Sequence, residues 1–195
     1  MLDETALLVA LRNHDPAAFR QLFETYSDKI YRLAVSQLQD EVEADGVVQD
    51  TFLRLIEKLD QFEGRSKLST WLYRVAYNIC QDRLRKRGRT TGFDALSDED
   101  GELFMPKIFV DWSNTPQACL NSAEITTAIN KAIDQLPDNL RTVFILREIE
   151  GVSTKEAATI LNLSVSNIKV RLHRARLVLR EDLATTFGSL VGTET

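Results

Sequence analysis

Hydrophobic positions recur every three or four residues along most of this chain, which is the spacing of an amphipathic helix. The pattern predicts a first helix after Asp15-Pro16 and a second from about Glu41 to Leu59. A polar loop follows, and then a third helix from Thr70 into a basic tail that ends at Arg89. We predict Asp15 and Thr70 as helix N-caps. No convincing alternation typical of a half-buried strand is found, so we predict an all-α fold.

The C-terminal part of the chain predicts a helix-turn-helix. Ser153 and Glu156 match the S-x-x-E capping box at the start of a short helix, and Asn162 is a predicted left-handed cap at its end. Ser164 is the predicted N-cap of a longer helix that reaches about Arg180. A short helix, a tight turn and a longer helix indicate DNA binding, with the longer helix in the major groove.

The helix from Ser164 to Arg180 separates apolar from basic side chains. Its apolar positions predict one buried face, made of Val165, Ile168, Leu172, Ala175 and Leu179. The segment also holds five basic residues and no acid, although the net charge of the chain is −5. This excess of positive charge favours contact with phosphates, and a solvated basic surface helix is the alternative interpretation.

Charge is segregated along the chain. Residues 65–89 include eight basic residues and one acid, whereas residues 93–124 include seven acids and one lysine. Two basic segments joined by an acidic one are typical of two nucleic-acid contacts and a linker. The first basic segment also contains Trp71, Tyr73 and Tyr77. Aromatic rings stack on unpaired bases, so this segment predicts single-stranded nucleic acid as a ligand; a core position for Trp71 is the alternative.

These patterns divide the chain into two small helical domains. We predict an N-terminal helical bundle over residues 1–89, an acidic linker over 90–115, a helix-turn-helix domain over 116–186 and a frayed tail over 187–195. Helices are predicted to begin at Thr115-Pro116 and at Leu136-Pro137, the second ending at Gly151. The linker contains an apolar run, Leu103–Trp112, that either packs on a domain or docks a partner protein.

Composition argues against several other classes of protein. Two cysteines without C-x-x-C spacing and two histidines argue against a metal site. No apolar run is long enough to cross a membrane, and the N-terminus carries acids where a signal peptide carries bases. We therefore expect a cytoplasmic protein. No Ser-His-Asp, P-loop or H-E-x-x-H pattern is found, so we expect no enzyme activity and no cofactor.

Several segments, in this order, resemble the extracytoplasmic-function (ECF) branch of the bacterial sigma-70 family of transcription initiation factors. In the first domain they are VVQDTFLRL and FEGRSKLSTWLYRVAYNICQD. In the second they are LPDNLRTVFILREIEG, STKEAATIL and IKVRLHRAR. The resemblance implies a factor that binds core RNA polymerase and directs it to promoters through their −10 and −35 elements. It also implies an anti-sigma factor that masks the polymerase-binding faces.

The resemblance further implies three sets of contact residues. The second helix should bind the clamp helices of the beta-prime subunit through Asp45, Val48, Gln49, Asp50, Phe52 and Leu55. The loop from Phe62 to Thr70, with Arg65, Ser66 and Lys67, should capture a base flipped from the −10 element. The melted strand should be held by Trp71, Arg74, Asn78, Arg83, Arg85, Lys86 and Arg87. The −35 element should be read by Lys169, Val170, His173 and Arg174, with Asn167, Arg171 and Arg176 near phosphates and Ser166 as a further contact. The outer face of the C-terminal domain should meet the beta-subunit flap.

Several positions depart from the family pattern: Asp45 sits one position early, Ser166 and Asn167 replace a common Gly-Thr, and Gly46 and Val170 also differ. Gly46 stands where the family usually has an acid, and glycine within a helix costs about 1 kcal/mol relative to alanine. We therefore expect an unusual affinity for the polymerase core. Val170 replaces a common small polar residue and could contact a thymine methyl group, which would give this chain its own promoter preference.

Two other functional classes compete with this interpretation. A plain helix-turn-helix repressor or response-regulator output domain would use residues 1–115 to sense or to dimerise, but it leaves the aromatic and basic segment unexplained. An all-helical enzyme is the other class, and the sequence offers it no catalytic pattern.

Overall fold

A computed structural model describes residues 4–88 and 122–191, with side chains at all of these except 122–125 and 187–191. The described ranges hold eight α-helices and no strand, which confirms the predicted all-α fold. The helices are α1 (Glu4–Arg12), α2 (Pro16–Leu38), α3 (Glu41–Lys58), α4 (Leu68–Lys86), α5 (Ser122–Gln135), α6 (Asp138–Phe144), α7 (Thr154–Leu161) and α8 (Val165–Val191). One 3-10 turn, Leu59–Gln61, follows α3, and one π-helical turn, Ile145–Ile149, extends α6.

Helices α1 to α4 form an N-terminal unit around one apolar core. The Asp15 carboxylate accepts the Ala17 N–H at 2.9 Å and so caps α2, as predicted. The Asp40 carboxylate accepts the Glu43 N–H at 3.0 Å and caps α3 in the same way. These caps set the starts of two helices whose apolar faces meet α4, and the fully buried side chains of the core include Leu22, Ile30, Leu33, Leu55 and Leu72.

The start of the N-terminal unit and the start of α4 differ from the prediction. Helix α1 was not predicted, although its Leu11 is fully buried in the core. Helix α4 begins at Leu68, and Thr70 is a buried residue of its first turn rather than its N-cap. The Leu68 N–H is instead accepted by the carboxylate of Glu4. A side chain of α1 thus replaces the local cap of α4. The sequence around Thr70 does not reveal this contact.

Helices α7 and α8 form the predicted helix-turn-helix. The Ser153 hydroxyl accepts the Glu156 N–H at 3.2 Å, and the Glu156 carboxylate accepts the Ser153 N–H at 2.9 Å, which completes the capping box. Asn162 ends α7 in the left-handed region, with a φ of 54°. The Ser164 hydroxyl accepts the Asn167 N–H at 3.1 Å at the start of α8. All three caps confirm the sequence prediction.

The rest of the C-terminal unit packs α5 and α6 against the distal part of α8. Its apolar cluster contains Ala132, Ile133, Leu136, Leu140, Ile145, Ala175 and Leu179. Helix α8 continues to Val191, so residues 187–191 of the segment predicted as a tail belong to this helix. The predicted start at Thr115-Pro116 and the linker with its Leu103–Trp112 run lie outside the described residues.

The two units pack directly against each other. Helix α4 contacts α7, and α2 contacts α6. Val143, Leu146, Val152 and Ile160 of the C-terminal unit join the same buried apolar cluster as Leu72 and the other core residues of the N-terminal unit. The predicted −10 and −35 segments therefore belong to two units that share one buried interface.

Candidate nucleic-acid interface

The N-terminal half of α8 presents most of its predicted contact residues to solvent. Ser166, Lys169 and Arg176 are exposed, and the remaining ones, apart from Arg171, are half-buried: Asn167, Val170, His173 and Arg174. The opposite face of the helix holds the buried Ile168, Leu172 and Ala175. Arg176 is partly engaged, because its guanidinium lies 2.8 Å from the Glu148 carboxylate. The helix therefore offers a basic outer surface that is fixed in position by an apolar inner one.

Two residues of α8 do not lie where the sequence placed them. Arg171 was predicted to approach a phosphate, but it is only 1% exposed. It stands three positions after Ile168, and this spacing brings it to the inner side of the helix. Val165 was predicted on the buried face and is exposed. We therefore remove Arg171 from the proposed DNA contacts.

Two of the basic side chains at the end of α4 form hydrogen bonds and ion pairs with groups of α3 and its N-cap. The Arg83 guanidinium donates to the Glu43 carbonyl at 2.7 Å and to the Asp50 carboxylate at 2.6 Å. The Arg87 guanidinium donates to Asp40 at 3.0 Å and also pairs with Glu43. Arg85 pairs with Asp82 on its own helix. Lys86 is exposed, so it is the residue of this tail best placed to meet a phosphate.

Gly46 admits the Arg83 side chain to the surface of α3. A Cβ at position 46 would lie 2.8 Å from Nη1 and 3.0 Å from Nη2 of Arg83, so the guanidinium at the end of this flexible side chain would have to move. The glycine thus leaves room for a guanidinium that bonds both to the α3 backbone and to Asp50. Its conformational cost in the helix is offset by two charge-assisted hydrogen bonds.

The loop before α4 is supported by its own aromatic contact and by α1. Phe62 is buried, and its ring meets Trp71 edge to face with centroids 6.3 Å apart. The Arg12 guanidinium donates to the Phe62 carbonyl at 2.6 Å. In the same loop Arg65 pairs with Glu63, Ser66 is half-buried and Lys67 is exposed. Phe62 therefore packs beneath the loop.

The aromatic residues of α4 separate into core and surface. Tyr73 and Tyr77 are buried, so their rings are not free to stack on bases, contrary to the sequence prediction. Trp71 remains half-exposed. Arg74 and Asn78 are exposed one turn apart, as the spacing predicted, and form a polar strip along α4.

The predicted polymerase-binding residues of α3 also divide between surface and core. Asp45 and Gln49 are exposed and Asp50 is half-buried. Val48 and Leu55 are buried in the core and are removed from the proposed contact surface. The Phe52 ring is half-buried against Phe23 of α2, with centroids 4.9 Å apart.

An exposed apolar surface surrounds that ring pair, and the sequence analysis missed part of it. Phe23 is 49% exposed, Leu53 57% and Ile56 55%. The helical spacing of Phe23 and Ile56 does not reveal their exposure, because spacing alone does not show which of two adjacent apolar stripes a neighbouring helix covers. Exposed apolar groups beside polar ones are typical of protein-binding surfaces.

Between the units lies a set of ion pairs that the sequence analysis did not predict. The Glu150 carboxylate accepts from the Arg32 guanidinium at 2.9 Å and from the Tyr73 hydroxyl at 3.1 Å. The Glu156 carboxylate lies 2.9 Å from the Lys67 ammonium. Buried Gln37 also donates to Thr142 across the interface.

These contacts shift the pKa values of Glu156 and Tyr73, among other groups at the interface. The hydrogen bonds from Ser153 and then from Lys67 lower the pKa of Glu156 from 4.5 to about 2, so this carboxylate is ionised at neutral pH. Burial, followed by the nearby Glu150 charge, raises the pKa of Tyr73, so its hydroxyl stays protonated and donates.

Within residues 4–88 and 122–191, the carboxylates, cysteines and histidines form no group of three that could hold a metal ion. None of the described helices has the length and apolar content needed to span a membrane.

Comparison with known proteins gives consistent matches over both units. Residues 22–90 match the Sigma-70 region 2 family and residues 126–179 match Sigma-70, region 4. The chain is 36% identical over 174 residues to the ECF RNA polymerase sigma factor SigW of Bacillus subtilis, covering 89% of this chain and 92% of that protein. It is 30% identical over 175 residues to the ECF RNA polymerase sigma-E factor of Escherichia coli, covering 90% and 91%.

Two solved structures share the fold. CnrH in complex with the cytosolic domain of CnrY superposes with a TM-score of 0.61 at 26% identity, covering 92% of this chain and 96% of CnrH. RpoE of Bartonella quintana in complex with the anti-sigma factor NepR gives a TM-score of 0.60 at 29% identity, covering 85% and 96%. With both units matched in order, and with relatives of 30% identity or more matched over at least nine-tenths of their length, the chain belongs to the ECF sigma factors of the sigma-70 family of transcription initiation factors.

Proposed function

We propose that this chain binds core RNA polymerase and directs it to promoters that it reads at two separate elements. The observation that carries the proposal is the outward basic surface of α8, held on a helix-turn-helix, in a chain that also has a region 2 unit. We assign the −10 contacts and polymerase binding to residues 1–89, the −35 contacts to residues 116–186, and a connecting role to residues 90–115. The chain would act as a DNA-binding subunit of the polymerase, without a reaction of its own.

The −35 element is the proposed ligand of α8. Lys169 is exposed near the start of the helix, the part of a recognition helix that meets base edges. Its ammonium group can donate to guanine O6 and N7, and the half-exposed Val170 can contact a thymine methyl group. His173, Arg174 and Asn167 complete the reading surface, while Arg176 can exchange Glu148 for a phosphate.

The −10 element is the proposed ligand of α4 and the loop before it. Arg74 and Asn78 form an exposed strip, and Lys86 extends it toward the end of the helix. The half-exposed Trp71 offers one aromatic face for an unpaired base. Arg65, Ser66 and Lys67 lie in the loop that would capture a flipped base. Phe62, Arg83 and Arg87 support this surface from behind through their contacts with Trp71 and α3.

Core polymerase is the proposed partner of the α2 and α3 surface. Asp45 and Gln49 supply polar groups, and Phe23, Phe52 and Ile56 supply apolar area beside them. We assign this surface to the beta-prime clamp helices. The beta-subunit flap would meet the C-terminal unit, where Ile129 and Leu177 are exposed.

An anti-sigma factor is the proposed regulator, and the cytoplasm is the proposed location. The support is that a similar structure, RpoE, was solved with the anti-sigma factor NepR. A regulator of this kind would cover the polymerase-binding surfaces of both units. Purification of the chain from its host would then yield one further protein besides polymerase subunits, whereas polymerase subunits alone would contradict this part of the proposal.

Run-off transcription tests the proposed function. The purified chain and core polymerase are incubated with a pool of genomic promoter fragments, and core polymerase alone is the control. We expect transcripts that begin at specific sites only when the chain is present. If the chain binds duplex fragments but never causes core-dependent initiation, it is a repressor and the proposal is wrong.

A further inference from the structure

Helix α1 contacts both ends of the loop that precedes α4. At one end, the Arg12 guanidinium donates to the Phe62 carbonyl at 2.6 Å. At the other end, the Glu4 carboxylate accepts the Leu68 N–H. Glu4 and Arg12 are the first and last residues of α1, about 12 Å apart along its axis at 1.5 Å for each residue. One helix therefore holds the backbone of the loop at both of its ends.

The middle of the loop is exposed, whereas its ends are buried. Residues 63–67 are exposed, apart from the half-buried Ser66. Phe62 and Leu68 are by contrast only 7% and 2% exposed. Gly64 has a φ of 71°, a conformation that glycine adopts without strain, and so lets the chain turn between the two anchors. The side chains that we assign to the flipped base thus project from a short turn with fixed ends.

Helix α1 is itself fixed to the core of the N-terminal unit. Leu11 is fully buried, and Leu7 and Leu8 pack against the same apolar cluster. A helix of nine residues is marginal by itself in water, so this packing is what holds α1 in place. The anchoring groups of Glu4 and Arg12 are therefore fixed relative to the core, and the loop backbone is fixed through them.

Other contacts reach the loop through its side chains. The Phe62 ring meets Trp71, and the Lys67 ammonium lies 2.9 Å from the Glu156 carboxylate. A side-chain contact leaves the backbone free to change its path, whereas a hydrogen bond to a backbone carbonyl or N–H fixes that path directly. The two hydrogen bonds from α1 therefore have a role that these contacts do not fill.

We propose that α1 is a positioning element for the base-capturing loop, residues 63–67, and that Glu4 and Arg12 set the base discrimination of this loop without touching DNA. The inference rests on the proposed function, which assigns the flipped base to the loop. A site that is ordered before its ligand arrives discriminates better than one that must be ordered by binding. Residues 4–12 lie outside the segment 22–90 that matches Sigma-70 region 2.

Fork-junction DNA bound to the assembled holoenzyme tests the inference. Each probe joins a duplex −35 element to a single-stranded −10 element, and one −10 position at a time carries each of the four bases. The position with the largest preference in the wild-type holoenzyme marks the captured base. The measured quantity is the ratio of affinities for the preferred and the replaced base, which does not change when part of the protein is unfolded.

The variants separate a positioning role from a merely structural one. Glu4→Ala and Arg12→Ala should each lower the ratio at the captured base about fivefold, because a loop freed at one end must be ordered when the base binds. Glu4→Gln should keep the wild-type ratio, since its amide oxygen still accepts the Leu68 N–H. Thr5→Ala is the matched control, because Thr5 lies exposed on the same helix. Preference at the −35 element should stay within about twofold in every variant.

Trypsin cleavage of the chain without polymerase reports on the loop directly. Arg65 and Lys67 are exposed cleavage sites within it. Cleavage there should be faster in Glu4→Ala and Arg12→Ala than in the wild-type chain, because a loop freed at one end fits a protease more readily. Cleavage after Lys155, exposed on α7 of the other unit, should stay at the wild-type rate and controls for general unfolding.

Three results would overturn the inference. The first is a wild-type ratio and wild-type cleavage of the loop in both alanine variants. The second is an equal loss of affinity for all four bases, which would make Arg12 a phosphate contact or α1 a purely structural helix. The third is a Glu4→Gln variant that behaves like Glu4→Ala. Failure of the proposed function looks different: the wild-type holoenzyme would prefer no base at any −10 position, while trypsin would still report whether α1 holds the loop.

Discussion

The basic tail of α4 and the basic half of α8 have similar charge in the sequence but different surroundings in the fold. In α4, Arg83 and Arg87 are paired with carboxylates of α3. In α8, Lys169 faces solvent and its near neighbour Arg171 is buried. A count of basic residues therefore does not measure a nucleic-acid surface. The position of each cation relative to the core and to nearby acids decides whether it stabilises the fold or remains available to DNA.

The largest expected effect is a difference in stability between variants of two nearby residues of α8. Replacement of the buried Arg171 by Ala should lower the free energy of unfolding by about 3 kcal/mol, because it removes a large buried side chain and the interactions of its charge. Urea titration followed by circular dichroism measures this change. Lys169→Ala is the matched control and should remain within about 0.5 kcal/mol of the wild-type chain. Equal stability of the two variants would show that Arg171 is a surface residue.

In promoter binding, the larger loss should come from replacing Lys169 rather than Arg171. Lys169→Ala should weaken binding to the −35 duplex by roughly 1–3 kcal/mol, and the loss should be confined to the preferred sequence. Fluorescence anisotropy on preferred and scrambled duplexes measures the difference. An equal loss of affinity on both duplexes would show that Lys169 contacts a phosphate and does not read a base.

The next comparison lies within the tail of α4. Arg83→Ala should lower the free energy of unfolding by about 2 kcal/mol, because it removes hydrogen bonds to the Glu43 carbonyl and to Asp50. Lys86→Ala should leave stability unchanged and weaken DNA binding by a similar factor on all sequences. Urea titration and binding at several salt concentrations distinguish the two effects. A pure loss of DNA affinity in Arg83→Ala would restore the original sequence prediction.

Gly46 provides an independent check on the same contact. In the wild-type chain, Gly46→Ala should gain little stability, because the new Cβ displaces the Arg83 guanidinium. In an Arg83→Ala background the same change should stabilise by up to about 1 kcal/mol, since alanine is the better helix former. The double-mutant cycle gives the coupling energy, and additive effects would show that the glycine and the arginine are independent.

The last effect is a pH dependence at Glu156. Its folded pKa of about 2 lies below the ordinary 4.5, so the carboxylate stabilises the fold above pH 4.5 and loses that contribution as the pH falls from 4.5 toward 2. Glu156→Gln should therefore flatten the stability curve in that range. Denaturation at a series of pH values measures it, with the exposed Glu57→Gln as control. An unchanged slope in Glu156→Gln would contradict the assigned cause.

Features that depend on residues within one turn could be predicted from the sequence. The capping box at Ser153 and the left-handed Asn162 were predicted correctly because each uses groups three or four residues apart. The cap of α4 was predicted wrongly because its acceptor, Glu4, lies 64 residues away. The buried rings of Tyr73 and Tyr77 and the pairing of Arg32 with Glu150 likewise depend on packing between distant helices. Periodicity shows that a helix has an apolar face, but it does not show what covers it.

Footprinting of the complete initiation complex tests the central claim, a promoter held at two points by two units of one chain. The chain, core polymerase and a promoter found by run-off transcription are probed with DNase I for protection and with permanganate for unpaired thymines. We predict protection over the −35 element together with reactive thymines in the −10 element, and Lys169→Ala should lose the first while keeping the second. Protection at −35 without any unpaired thymine at −10, in the presence of core polymerase, would contradict the account.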